Sequence, residues 1–251
     1  QDSKGNYWFG SIREGVALFN GNSFPYFSTN EGLRDNQILS IQEDKHGIIW
    51  FESQHGVSSY DGKSIQDETR GITGNSRVEW MKSENDLWFG AGIKEGVYRF
   101  DGHKLSYLAF PDPEKINPNN LYGVTGFSKG KNNRIWIGTY AGVFGYNGKE
   151  FRIINDETLG LDIEIEPLHI RSILEDSKGR LWIGNNGIGV LLKEGDSTIN
   201  FSEKNKLIHP TSGRKGDKSM PGTLEHVFTI AEDSQGNVWF GDRDAGIWKY
   251  D

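Results

Sequence analysis

An all-β fold made of six copies of one four-stranded antiparallel unit is what the sequence predicts, and three observations predict it. Trp followed by Phe or Ile recurs at Trp8, Trp50, Trp88, Trp136, Trp182 and Trp239, at intervals of 42, 38, 48, 46 and 57 residues. A period near forty with variable insertions is one supersecondary unit copied in tandem. Asn-Gly and Asp-Gly turn signals fall at a fixed place in successive copies. The strand around each Trp, as in "RIWIG" and "NVWFG", is apolar on both faces and needs cover from both sides. Small sheets stacked radially supply that cover, so the expected architecture is a β-propeller, with each Trp in the core between neighbouring sheets.

The second unit shows the elements in order: "ILSIQED", "KHG", "IIWFE", "SQHG", "VSSY", "DGK" and "SIQDE", four short strands separated by turns. Strands one and two are joined by Asp44-Lys45-His46-Gly47, and likewise by Asp176-Ser177-Lys178-Gly179 and Asp233-Ser234-Gln235-Gly236. Each begins with a residue that bonds its own backbone and ends with one that tolerates positive φ. Between strands two and three a polar loop ends in Gly15, Gly56, Gly96, Gly142, Gly189 or Gly246. Strands three and four meet at Asn20-Gly21, Asp61-Gly62, Asp101-Gly102 and Asn147-Gly148, pairs that favour a two-residue type I′ turn. The residue after Trp-Phe or Trp-Ile is Gly except at Glu52.

These elements give a single domain over 1–251, with units at approximately 1–28, 36–68, 76–110, 120–154, 169–201 and 225–251. Unit one opens inside its first hairpin and unit six stops where a fourth strand is due, so both are incomplete. The expected strand count is 22, two short of six whole sheets. Either residues outside this stretch complete the ring or the two incomplete units pair with each other, and the first is the expectation because a bare edge strand invites aggregation.

Composition narrows the function classes. A net charge of -7 and a pI near 5.5 argue against a nucleic-acid partner, which needs a basic face. Without cysteine there is no disulfide, zinc-thiolate site or thiol catalysis. No apolar run approaches the roughly eighteen residues of a membrane helix, so no membrane contact is expected within the chain.

The pattern "VFTIAEDSQGNVWFGDRDAGIWKYD", echoed in "GLRDNQILSIQEDKHGIIW", resembles the two-component regulator propeller repeat. That family implies an extracytoplasmic sensor region, as in bacterial hybrid histidine kinases, or a freestanding propeller. The resemblance implies a periplasmic or extracellular location, a carbohydrate or other polar nutrient as ligand, and a signalling partner domain outside this chain.

Long loops gather on one expected face, among them "STNEGLRDNQ" and "SEKNKLIHPTSGRKGDKSMPGTLEH". Counting back from each Trp puts Gln37, Arg77, Asn120, His169 and His226 at the start of the inner strands, with Glu79, Tyr122 and Arg171 one position further inside. If the inner strands line a channel, these residues ring its mouth and offer a polar ligand, such as an oligosaccharide, donors and two cations. The loops from strand two to three add Arg13, Lys94, Tyr140, Asn185, Asn186 and Arg243. The candidate ligand-binding set is therefore Gln37, Arg77, Asn120, Tyr122, His169, Arg171, His226 and Arg243. Acidic residues at 156–166 face a basic stretch at 202–220, as two solvated loops or as flanks of a charged ligand.

Catalytic motifs are scarce. Ser-His-Asp, phosphate-loop and zinc-hydrolase patterns are missing from the sequence, and the acidic loop lacks the alternating ligands of a calcium-binding hand. No cofactor or metal is expected. If the chain is an enzyme, the candidates are His169, His226 and Glu225, with Glu225 orienting His226 as base, and a lyase acting on a polysaccharide or cyclic ester is the reaction they could run. A protein-interaction platform is the third reading, which requires an exposed aromatic patch.

Overall fold

The computed structural model describes residues 1–72, 80, 83, 85–92, 94–111, 123–161, 167–209 and 218–251. Its contacts divide the chain into two compact halves, Gln1–Phe110 and Pro111–Asp251. The first half holds three antiparallel sheets: β1 (Tyr7–Gly10), β2 (Val16–Phe19) and β3 (Tyr26–Phe27); β4 (Ile38–Glu43), β5 (Ile49–Ser53), β6 (Gly56–Tyr60) and β7 (Ile65–Asp67); and β8 (Leu87–Gly90), β9 (Gly96–Phe100) and β10 (Leu105–Ala109). The strand expected ahead of β8 lies outside the described residues.

The second half repeats the plan. Its sheets are β11 (Val124–Lys129), β12 (Ile135–Thr139), β13 (Gly142–Tyr146) and β14 (Phe151–Ile154); β15 (Ile170–Glu175), β16 (Leu181–Asn185), β17 (Val190–Glu194) and β18 (Ser197–Asn200); and β19 (Val227–Glu232), β20 (Val238–Asp242) and β21 (Gly246–Tyr250). Two single-turn helices, α1 (Asp156–Leu159) and α2 (Phe201–Lys204), follow β14 and β18 and are capped by Asn155 and Asn200. Every sheet is a meander of neighbours in chain order, as the turn signals predict.

Apolar side chains from successive sheets form the cores. Trp182 of β16 is fully buried and packs with Val190, Leu224, Val227 and Phe240, while Trp136 of β12 packs with Ile170, Ile173 and Ile183. In the first half, Trp50 of β5 packs with Phe89, Tyr98 and Phe100. Trp239 departs from the pattern, being 37% exposed. The Gly after Trp-Phe or Trp-Ile exists because the next inner strand lies against it: a Cβ on Gly184 would sit 2.8 Å from the Val227 carbonyl oxygen and 2.4 Å from Ser172 Oγ.

One expectation about the turns is corrected. The β6–β7 register pairs Tyr60 with Ile65, so the two loop residues are Gly62 and Lys63, with Asp61 preceding them. Only the Gly has positive φ, at +96°, as the first central position of a type II′ turn requires. Asp61 Oδ1 accepts the N–H groups of Lys63 and Ser64 at 2.8 Å each. Its carboxylate, and not a left-handed backbone, is what makes Asp favourable there.

Candidate functional site

The inner strands of the second half each carry a β-bulge at one level. In β15, Ile170 pairs with Asn185 and Ser172 with Gly184, leaving Arg171 as the extra residue. The extra residue is Thr125 in β11 and Phe228 in β19, and Leu39 holds the same place in β4 of the first half. A bulge re-aims the side chain it carries. Here it brings two neighbouring sheets together: the Arg171 guanidinium carbon lies 4.4 Å from the Phe228 ring centre and 5.2 Å from that of Tyr140. Arg171 Nη1 also donates to the Tyr140 hydroxyl at 2.9 Å.

Just ahead of the bulges the chain forms a second shared layer. The residue after each second strand donates its N–H to the residue leading that sheet's inner strand: Tyr140 to the Gly123 carbonyl at 3.2 Å, Asn186 to His169 at 2.9 Å, and Arg243 to His226 at 2.8 Å. Tyr140 and Asn186 also touch the following sheet through their side chains. The Tyr140 ring meets His169 edge-on at 5.2 Å. Asn186 Oδ1 accepts from His226 Nδ1 at 2.7 Å, and its Nδ2 donates to His169 Nδ1 at 3.4 Å. One amide thus bridges two imidazoles, placing the His226 proton on Nδ1 and leaving Nε2 as an acceptor.

Electrostatics reinforces that state. His226 is buried, and burial followed by the Arg243 cation holds its pKa below the ordinary value, against the opposing pull of Asp242, Asp244 and Glu225. Asp242 is buried too, which pulls its carboxyl upward. Its Oδ2 accepts the N–H groups of Glu225 and His226 at 2.9 Å, and its Oδ1 those of Asp244 and Ala245, so its pKa ends below the usual carboxylate value. Arg243 pairs with Asp244 at 2.8 Å.

The sequence-predicted residues can now be placed. His169, Arg171, His226 and Arg243 share this region, joined by Tyr140, Asn186 and Phe228. Gln37 leads β4 in the first half, where its N–H bonds Asp35 Oδ1 at 3.0 Å. Arg77, Asn120 and Tyr122 lie outside the described residues, as do Glu79, 162–166 and 210–217. In the β11 register the positions equivalent to His169 and Arg171 are Gly123 and Thr125. The Glu225 side chain is directed elsewhere than His226 Nδ1: it accepts the His209 N–H at 2.7 Å and the Thr223 hydroxyl at 3.0 Å. The group that orients His226 is Asn186. Asp156 of the acidic stretch is buried and accepts the Leu168 N–H at 2.7 Å, so it is part of the scaffold. Among the described residues no three His, Asp or Glu side chains gather closely enough to hold a metal ion, and no helix is long and apolar enough to cross a membrane.

Residues 32–51, 165–187 and 222–244 match the family model of the two component regulator propeller. The chain is similar in fold to the extracellular domain of a hybrid two component system from B. thetaiotaomicron, with a TM-score of 0.62 at 20% identity over 96% of this chain and 31% of that one. The chain thus spans about a third of that protein's solved length. It is also similar to a streptogramin B lyase (TM-score 0.64, 15% identity, 98% of this chain and 76% of that one). PorZ, a surface component of the type-IX secretion system of Porphyromonas gingivalis, matches with a TM-score of 0.63 at 14% identity, over 98% of this chain and 37% of that one. Among curated proteins none matches. The fold is therefore that of the β-propellers, and three segments of the sequence match the two component regulator propeller model.

Proposed function

We propose that this chain of two component regulator propeller repeats is a ligand-binding sensor domain, exposed outside the cytoplasm, that takes a polar ligand of the carbohydrate class and relays its presence to a signalling domain. The observation that carries the reading is the layer formed by His169, Arg171, Asn186 and His226. Imidazole, amide and guanidinium groups from two neighbouring sheets converge there beside the faces of Tyr140 and Phe228. Aromatic faces beside a few oriented polar groups are the composition of a small-molecule site. The fold shared with the B. thetaiotaomicron extracellular domain supports the sensory role and the location.

A melting-temperature screen against neutral and acidic oligosaccharides tests this. A ligand present at one hundred times its Kd stabilises by about 2.7 kcal/mol, a readily measured shift. A hit recovered chemically intact after long incubation is the expected result. Turnover of the hit would replace the sensor reading with an enzymatic one, and a screen without a hit would remove the carbohydrate.

A further inference from the structure

Two arginines on this chain present the same chemical edge to different surroundings. Arg99 directs its Nε and Nη2 at Asp86, with Nε to Oδ2 at 2.8 Å and Nη2 to Oδ1 at 3.0 Å, the parallel pair that a guanidinium forms with a carboxylate. Arg171 bonds the Tyr140 hydroxyl through Nη1, while its Nε is buried and meets no acceptor among the described residues. No carboxylate of the described residues pairs with it. The nearby acids are engaged elsewhere: Asp242 by four backbone N–H groups, Asp244 by Arg243 and the Ser219 N–H, and Glu225 by His209 and Thr223. A buried donor without an acceptor is unfavourable, and Phe228 and Tyr140 hold the guanidinium plane in place despite it.

Resting on the carbohydrate reading above, we propose that Arg171 is the anchor for a carboxylate on the ligand, so that the ligand is an acidic, uronate-bearing saccharide. Its Nε and Nη2 take the two carboxylate oxygens as Arg99 takes those of Asp86. The fork is planar and always charged, so the site discriminates a carboxylate from its ester, whereas a lysine in its place would supply charge without the paired geometry. Neutral His226 leaves Arg171 as the principal cation of this layer, since Arg243 is paired with Asp244.

The test compares two acidic tetrasaccharides, of galacturonate and of the glucuronate–N-acetylglucosamine repeat, with their methyl esters, by calorimetry on the whole chain. At least tenfold tighter binding of an acid over its ester is expected, with that preference lost in Arg171→Gln and reduced in Arg171→Lys. Equal binding of acid and ester would overturn the carboxylate anchor and leave the carbohydrate reading standing. Acid preference that survives Arg171→Gln would overturn the role of Arg171. Binding of none of the four would overturn the acidic-ligand proposal, and the carbohydrate reading falls with it only if the neutral oligosaccharides of the melting screen also fail to bind. The Nε–Hε resonance of Arg171 in the unmutated chain gives a readout independent of how the variants fold: it is expected to shift with the acid and not with the ester, and a resonance unmoved by a bound acid overturns the proposal.

Discussion

The Trp136 indole N–H is accepted by Glu175, a residue of the neighbouring sheet. In four other repeats the equivalent indole is accepted six residues upstream in its own hairpin: Trp8 by Asp2, Trp50 by Asp44, Trp182 by Asp176 and Trp239 by Asp233, at 2.8–3.0 Å. Position 130 carries Gly where those repeats have Asp, and a Cβ there would lie 2.1 Å from Glu175 Oε2. The vanished carboxylate and the incoming one occupy the same space. Glu175 also accepts the Lys131 N–H at 2.8 Å, a clasp between sheets that recurs as Glu43 with the Ser3 N–H at 2.7 Å and Glu232 with the Ser177 N–H at 2.8 Å.

Glu175→Ala therefore removes two bonds and strands a buried indole, whereas Glu232→Ala removes two exposed bonds, to the N–H and the hydroxyl of Ser177, and strands nothing buried. Expected losses are about 2–4 kcal/mol for the first and about 1 kcal/mol for the second. Adding Gly130→Asp to Glu175→Ala should restore an indole acceptor and regain part of the loss. Urea denaturation of the three variants checks this, and equal losses in Glu175→Ala and Glu232→Ala would sink the shared-acceptor account.

Truncating the repeated Trp should have effects that follow burial and not sequence position. Trp182→Ala empties a fully buried site and should cost about 3–5 kcal/mol, as should Trp136→Ala. Trp239→Ala, at a 37% exposed position, should cost roughly 1–2 kcal/mol. Matching denaturation midpoints for Trp182→Ala and Trp239→Ala would show that the repeat, and not the packing, sets the cost.

The architecture was readable because it depends on local rules repeated many times. The Trp period, the Asp and Gly of each hairpin and the two-faced apolar strand each have one physical cause within a repeat. The clasp was not readable in the same way, although Glu precedes Asp at Glu43, Glu175 and Glu232. The Asp acts on its own turn, but the Glu acts on a backbone N–H in the preceding repeat, a contact that only stacking creates. The site was half readable. His169, Arg171 and His226 follow from counting back from Trp, yet the same count gives Asn120 and Tyr122 where the strand register puts Gly123 and Thr125. Asn186 looked like an ordinary loop residue, since its role needs two histidines from two different strands.

Glu52 stands where the other repeats have Gly, and it is buried. Its Oε1 accepts the Gly90 N–H from the next sheet at 2.8 Å and its Oε2 the Ser40 hydroxyl at 2.6 Å. Burial outweighs these two bonds and pushes its pKa from 4.5 to about 7. The folded chain then holds a proton that the unfolded chain releases, so stability is full below about pH 4.5 and falls as pH rises to about 7. The fall is up to roughly 3 kcal/mol at 1.4 kcal/mol per unit. Glu52→Gln keeps both bonds, with the amide donating to Ser40, and should flatten that part of the profile. A wild-type profile that rises between pH 5 and 7 and is unchanged in Glu52→Gln would contradict this.

The repeat containing β8 and β9 solves the same packing problem with an ion pair. Asp86, two residues before Trp88, turns to Arg99 and also accepts the Ser83 N–H and hydroxyl at 2.7 and 2.8 Å, while the buried Trp88 indole N–H meets no acceptor among the described residues. Both charges are shielded from water, with side-chain exposures of 8% and 1%. Removing one partner leaves the other charge buried alone, so Asp86→Asn should cost about 3–5 kcal/mol. Replacing both, as Asp86→Leu with Arg99→Met, removes the two desolvation costs together and should be much closer to the unmutated chain. The Arg99 side chain stacks 5.8 Å from the Trp88 ring, a place Met can fill. Chemical denaturation of the single and double variants decides the matter: a double variant no more stable than Asp86→Asn would mean that this pair contributes net stability to the sheet, beyond satisfying its own burial.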